Sequence, residues 1–127
     1  MNVRIIALIE DDINISTMYQ IKFESEGFEV NVATNGRIGV EMVTQKLPHI
    51  ILLDISMPEM DGAEALKLIR KLPGGQKIPV VILTNLGQQE APQALQHLGI
   101  AEYIIKANST PRQVVERVKC ILSEIED

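Results

Sequence analysis

The chain has no tryptophan, two tyrosines, two phenylalanines and a single cysteine. One thiol excludes an internal disulfide and any cysteine-based zinc cluster. No apolar run approaches the roughly 20 residues of a membrane-spanning helix. Lysine and arginine are not in excess: 17 acids against 12 bases give a net charge of −5. That balance argues against direct, sequence-independent nucleic-acid binding, which needs clustered cations. The opening "MNVRIIALIEDD" turns acidic too soon for a secretory signal. GxxxxGK[ST] is missing, and "PGGQK" (73–77) follows a helical pattern rather than a strand, so no nucleotide site is evident. Linkers, repeats and low-complexity stretches are missing too. These absences leave a globular protein expected in the cytoplasm. Its 127 residues suffice for one core but not two. Cys120 lies beside Ile121 and Leu122 in a helical pattern and is expected to be a buried structural thiol.

What is present is a regular alternation. Short apolar runs at 3–9, 28–33, 50–53, 80–83 and 102–105 read as strands. Amphipathic stretches lie between and after them. The first helix follows at 13–27, with Ile13, Thr17, Ile21 and Glu24 near helical spacing and Gly27 as its cap. Asn35 caps a second helix whose inner face is Ile38, Met42 and Val43, ending before Pro48. A third spans about 61–72 with Ala65, Leu66 and Ile69 inward. A fourth carries Ala94, Leu95 and Leu98 and closes at Gly99. Thr110, Pro111 and Gln113 form a capping box with a first-position proline, opening a fifth helix striped by Val114, Val118, Ile121 and Ile125. Strict alternation implies an α/β fold of right-handed βαβ units: a doubly wound, five-stranded parallel sheet with five helices on its two faces. The continuous runs are central strands, and 28–33 and 102–105 are the edges. The chain ends with its last helix, so a single domain over 1–127 with no output domain is expected.

In such sheets ligands bind outside the carboxyl ends of the strands. After the first strand stands Glu10-Asp11-Asp12, after the third Asp54, after the fourth Thr84, and after the fifth Lys106. Taken singly, each has an ordinary explanation: acids complement a helix N-terminus, an aspartate makes a turn, a lysine is solvated along its stem. Their convergence on one edge is the informative feature. Glu10, Asp11 and Asp54 repel one another unless a cation joins them, and Mg²⁺ suits a shallow site of one or two carboxylates, a carbonyl and waters. A metal beside a carboxylate, faced by a lysine and a hydroxyl, is equipment for phosphoryl transfer.

At these residues the sequence resembles the receiver domain of bacterial two-component response regulators, in the stand-alone, chemotaxis-regulator-like form. The matching stretches are "LIEDD" (8–12), "LLDISMPEMDG" (52–62), "ILTN" (82–85) and "YIIK" (103–106). The resemblance implies flavodoxin-like strand order 2-1-3-4-5. It implies that Asp54 is the phospho-accepting nucleophile, that Asp11 binds Mg²⁺ directly and Glu10 through water, and that the Ser56 backbone carbonyl completes the metal site. Lys106 would pair with the phosphoryl group, Thr84 would move to bond it, and Tyr103 would turn inward as the switch. Asp12 has no such role and serves the start of the first helix. The phosphoryl donor would be a sensor histidine kinase or a histidine phosphotransfer protein. Output would leave by the surface of the fourth helix, fifth strand and fifth helix toward a downstream protein, with room for a phosphorylation-dependent dimer. The chain would then be a switch that catalyses its own phosphorylation and dephosphorylation, not an enzyme acting on a separate substrate.

Three positions depart from that pattern. Asn85 replaces a small residue, and its bulk can hinder access to the phosphoryl group. Leu86 stands where a polar residue is common and could obstruct an attacking water. Ala107 replaces a proline usually reached by a cis bond. A cis bond here would cost about 3 kcal/mol, so a trans bond or rearranged loop is expected. Three alternatives stand beside this reading, the first of them of the same architecture. A flavodoxin-like cofactor protein would need a hydroxyl- and glycine-rich loop after strand 1 and aromatics for its flavin. An aspartyl-phosphate hydrolase would need a second aspartate where Ser56 stands. A degenerate receiver acting only as a binding module is the third alternative, opposed by the intact Glu10, Asp11, Asp54 and Lys106.

Overall fold

The computed structural model describes residues 3–57, 60–85, 87 and 93–126. Five strands, β1 (Ile5–Ile9), β2 (Glu29–Ala33), β3 (Ile50–Leu53), β4 (Val80–Thr84) and β5 (Glu102–Ile105), form one parallel sheet in the order β2-β1-β3-β4-β5. Four α-helices are described: α1 (Ile13–Ser25), α2 (Gly36–Gln45), α3 (Gly62–Lys71) and α4 (Pro111–Glu126). The stretch expected to be the fourth helix is a 3-10 helix, Gln93–His97, among the described residues. There Leu95 is buried, Leu98 packs on the core and Gly99 closes the turn at φ 73°. The side chain of Ala94 lies outside the described residues.

Two apolar layers sandwich the sheet. Phe23, Val114, Val118 and Leu122 cover Ile6, Leu8, Ile50 and Leu52 on the α1/α4 side. Val43, Leu66, Ile69 and Leu95 cover Ile9, Ile51, Leu53 and Ile82 on the other. The central strands β3 and β4 are buried along their whole length, which is why they read as unbroken apolar runs.

The helix ends follow their side chains. The Asp12, Asn35 and Asp61 carboxylate or amide oxygens accept from the backbone N–H groups of Ile15, Ile38 and Glu64 at 3.1, 2.8 and 2.9 Å. Gly27, at φ 94°, closes α1 with a paired turn: its N–H donates to Glu24 O and that of Phe28 to Phe23 O. The Phe23 and Phe28 rings meet edge-on at 5.7 Å, the apolar contact such a turn favours. Thr110 and Gln113 exchange reciprocal bonds of 2.8 and 3.2 Å, the capping box.

Three expectations need correction. The buried face of α1 is Ser16, Tyr19 and Phe23, not Ile13, Thr17, Ile21 and Glu24. Two aromatic side chains bring more apolar area to the core than the isoleucines, and Ile13 and Ile21 are left 68% and 63% exposed. Cys120 is exposed, because it falls between the inward positions Val118 and Ile121 of α4. Ile125 is exposed as well: the last turn of α4 runs past the buried cluster, whose final member is Leu122. No helix among the described residues is long and apolar enough to cross a membrane.

Candidate functional site

Parallel register decides which side chains meet. Ile9 lies beside Leu53, Leu53 beside Ile82, and Thr84 beside Ile105. The residues that follow, Glu10, Asp54 and Lys106, therefore leave the sheet on the same edge as Thr84. Asp54 N–H donates to Ile9 O and Glu10 N–H to Ala33 O, so the ladder extends one step and holds both acids.

Glu10, Asp54 and Thr84 are all buried, at 2%, 6% and 1% exposure, while Asp11 is exposed. Carboxylate oxygens of Glu10, Asp11 and Asp54 lie within 4.8 Å of one another. The Lys106 ammonium pairs with Glu10 Oε1 and also lies 3.3 Å from Asp54 Oδ2. The Asp12 N–H binds Glu10 Oε2 at 3.1 Å, and the Ser56 N–H binds Asp54 Oδ1 at 3.1 Å. Asp12 itself caps α1 through its side chain, as its position implied.

Three acids against one lysine leave excess negative charge, two of the acids being buried. Burial is the largest influence on Glu10 and raises its pKa to about 7, against the hydrogen bonds from Lys106 and Asp12 and with the help of Asp54's charge. Burial would lower Lys106, but its bond to Glu10 and the two neighbouring carboxylates outweigh that and raise it. Oxygen donors, surplus negative charge and a cleft of about 240 Å³ fit a hard divalent cation. Glu10, Asp11 and Asp54 are the side chains able to hold it.

Ser56, Asn85 and Ile15 line the same cleft. Ser56 is exposed, and its backbone N–H is already engaged with Asp54. Asn85 is exposed at the mouth, whereas Leu86 lies outside the described residues. The Lys106–Ala107 bond is trans, and Lys106–Asn108 form a short 3-10 turn. Tyr103 is half-buried on β5, and its hydroxyl donates to Gly87 O at 3.3 Å, three residues beyond Thr84.

Sequence reasoning missed two supports. Gly62 presses against the backbone at Asp54 and Ile55: a Cβ there would sit 2.5 Å from Asp54 O and 2.6 Å from Ile55 Cα. The Asp61-Gly62 pair was its only signal. Arg70, at the end of α3, gathers four carbonyls from two other segments; nothing in its spacing announced this.

Residues 6–119 match the pattern of the response regulator receiver domain. The chain belongs to the response regulator receiver family. Among the relatives of this receiver, an uncharacterized 14.6 kDa protein of Leptolyngbya boryana is 33% identical over 80% of this chain and 77% of its own length. The phosphate regulon transcriptional regulatory protein PhoB of Rhizobium meliloti is 30% identical over 92% of this chain. Only 51% of PhoB is matched, so the receiver spans about half of that regulator. A CheY-like receiver domain of Methanospirillum hungatei superposes with a TM-score of 0.89 at 28% identity, covering 98% of both chains. Receiver domains of this family are signalling switches, and the strand order here is theirs.

Proposed function

We propose that this receiver takes a phosphoryl group onto Asp54 with Mg²⁺ bound at Glu10, Asp11 and Asp54, and that Thr84 and Tyr103 convert the event into a change of surface. The carrying observation is the Asp54 carboxylate at the end of β3, flanked by Lys106 at 3.3 Å and by two further acids in one cleft. With Oδ1 held by the Ser56 N–H, Oδ2 faces Lys106. A carboxylate oxygen attacks the phosphorus of a phosphohistidine. The new P–O bond forms as the P–N bond breaks, and the imidazole leaves with the electron pair. Mg²⁺, when bound, neutralises charge on the transferring phosphoryl oxygens, with the Ser56 carbonyl as a further ligand. Lys106, 3.3 Å from Asp54 Oδ2, would supply the second positive charge. The same cleft also serves hydrolysis: water attacks the phosphorus, the P–O bond to Asp54 breaks, and the carboxylate and inorganic phosphate are released, with Asn85 at the mouth controlling access.

The donor is a sensor histidine kinase or a histidine phosphotransfer protein. Its landing place is supported by the outer face of α1, where Ile13, Met18 and Ile21 are exposed by 68%, 40% and 63%. That face begins beside the cleft, since Asp12, the residue before Ile13, lines it. Phosphorylation adds about −1.5 to −2 charges at pH 7. Thr84 moves to bond the new oxygens, and Tyr103 gives up its bond to Gly87 and turns inward. Tyr103 also lines a groove of about 590 Å³ between β5 and α4, with Ile105, Gln113 and Arg117. Rotation of that ring therefore reshapes the surface a downstream protein would read.

The test is phosphate uptake from acetyl phosphate with and without Mg²⁺, with amide exchange around Gly87 as the output reading. Thr84→Ala is expected to take up phosphate while losing the change at Gly87. Uptake without any exchange change in the parent protein would leave a phosphate sink rather than a switch.

A further inference from the structure

At the edge of the sheet opposite the phosphoryl cleft, where β4 and β5 begin, lies a concentrated hydrogen-bond hub. Arg70, in the last turn of α3, donates through Nη1 to Gly75 O at 2.8 Å and to Ile78 O at 2.7 Å. Nε donates to Leu98 O at 2.8 Å, and Nη2 to Gly99 O at 3.1 Å. All four acceptors are backbone carbonyls, two ahead of β4 and two at the end of the 3-10 helix Gln93–His97. The planar guanidinium fork is the group that can address them together; a lysine ammonium is a single point. Burial pushes Arg70 down from its ordinary value, a cost the four bonds offset.

The surroundings are built for this contact. Gly75 folds back so tightly that a Cβ would strike Ile69 O. Gly99 adopts φ 73° with open space around a Cβ position, so glycine is needed there for its backbone and not for room. Leu98 N–H bonds Leu95 O, and Ala101 N–H bonds Val80 O at 2.8 Å, joining the turn to the start of β4. The connection between β4 and β5 is thus tied at both described ends. Tyr103 holds Gly87 at the cleft end, and Arg70 holds Leu98 and Gly99 at the far end.

We propose that Arg70 is a positioning residue for signal output: it anchors Leu98–Gly99 so that a rearrangement beginning at Thr84 is confined to the cleft end of the connection and to Tyr103. This rests on the receiver reading. A carbonyl-anchored tie suits the task, because it fixes the chain path without depending on any neighbouring side chain.

Amide hydrogen exchange of the full chain tests it, comparing the unphosphorylated protein with the protein held phosphorylated by acetyl phosphate and Mg²⁺, in the parent, Arg70→Lys and Arg70→Gln. In the parent, the Leu98 and Ala101 amides should exchange alike in both states while Gly87 responds. In Arg70→Gln, phosphorylation should speed exchange at Leu98 and Ala101 by about tenfold or more beyond any loss already present without phosphate. Arg70→Lys should do so partially, and it keeps the comparison open if the glutamine variant does not fold. Initial phosphate uptake should stay within about twofold of the parent. Equal losses in the two states would make Arg70 a structural staple only and overturn the proposal, as would a parent in which Leu98 and Ala101 already respond. Failure of the parent protein to take up phosphate would instead overturn the receiver chemistry, which Asp54→Asn reports separately.

Discussion

Lys106, at the end of an edge strand, forms an ion pair with Glu10, a carboxylate only 2% exposed that follows β1 near the middle of the sheet. The pair spans the strands between them and closes over Asp54. Removing the lysine strands two buried acids. Lys106→Met should therefore lower stability at pH 8 by about 3 kcal/mol, the usual cost of breaking a buried pair. Mg²⁺ should restore more of the melting temperature in this variant than in the parent, because it replaces the missing cation. Phosphate uptake should fall even where Mg²⁺ has restored the fold. A variant as stable as its parent without metal contradicts this.

Glu10 gives the site a pH dependence. Its pKa is raised from 4.5 to about 7, chiefly by burial. The folded chain then keeps a proton that the unfolded chain releases in between, so stability from this group falls as pH rises. It is present in full below pH 4.5 and lost as pH passes about 7. Mg²⁺ competes for the same carboxylate, so its affinity should rise on the order of tenfold between about pH 6 and 8. Calorimetric titration at several pH values checks this, and Glu10→Gln should flatten the slope. An unchanged slope in that variant assigns the proton elsewhere.

The exposed isoleucines of α1 separate donor docking from chemistry. Ile13→Glu and Ile21→Glu should leave uptake from acetyl phosphate within about twofold of the parent. Transfer from a protein donor should slow by tenfold or more, since apolar contacts at the centre of an interface are worth about 1–2 kcal/mol each. Stopped reactions with both donors provide the comparison. Equal slowing with both would place the effect in the cleft.

Gly62→Ala should destabilise the chain by about 2 kcal/mol, the scale of an overpacking strain. Its Cβ has to displace Asp54 O or Ile55 Cα, 2.5 and 2.6 Å away. Mg²⁺ affinity should drop with it, because the displaced segment carries Asp54, one of the proposed metal ligands. Thermal melts with and without Mg²⁺ distinguish the two effects. Unaltered melting would show that the loop has room to spare.

The sheet was legible in the sequence because a doubly covered parallel strand has to be apolar on both faces, and β3 and β4 are. The cleft was legible because its acids, hydroxyl and lysine each end or follow a strand, and register carries strand ends to one edge. The α1 face was not legible. Isoleucines and aromatics surround that helix, and periodicity singled out Ile13 and Ile21 although Tyr19 and Phe23 take the core. Cys120 misled for a related reason, since apolar neighbours in sequence such as Ile121 and Leu122 need not share its helix face. Arg70 left no trace, because its partners are carbonyls and carry no sequence signal. The fourth helix was placed correctly by Leu95 and Gly99 but is only a 3-10 helix among the described residues.

The most direct measurement is peptide mapping after incubation with acetyl phosphate and Mg²⁺. A single hydroxylamine-labile phosphate should appear on the peptide carrying Asp54, depend on Mg²⁺, and vanish in Asp54→Asn. Labelling that persists in Asp54→Asn, or that ignores Mg²⁺, would contradict Asp54 as the nucleophile of a metal-assisted receiver.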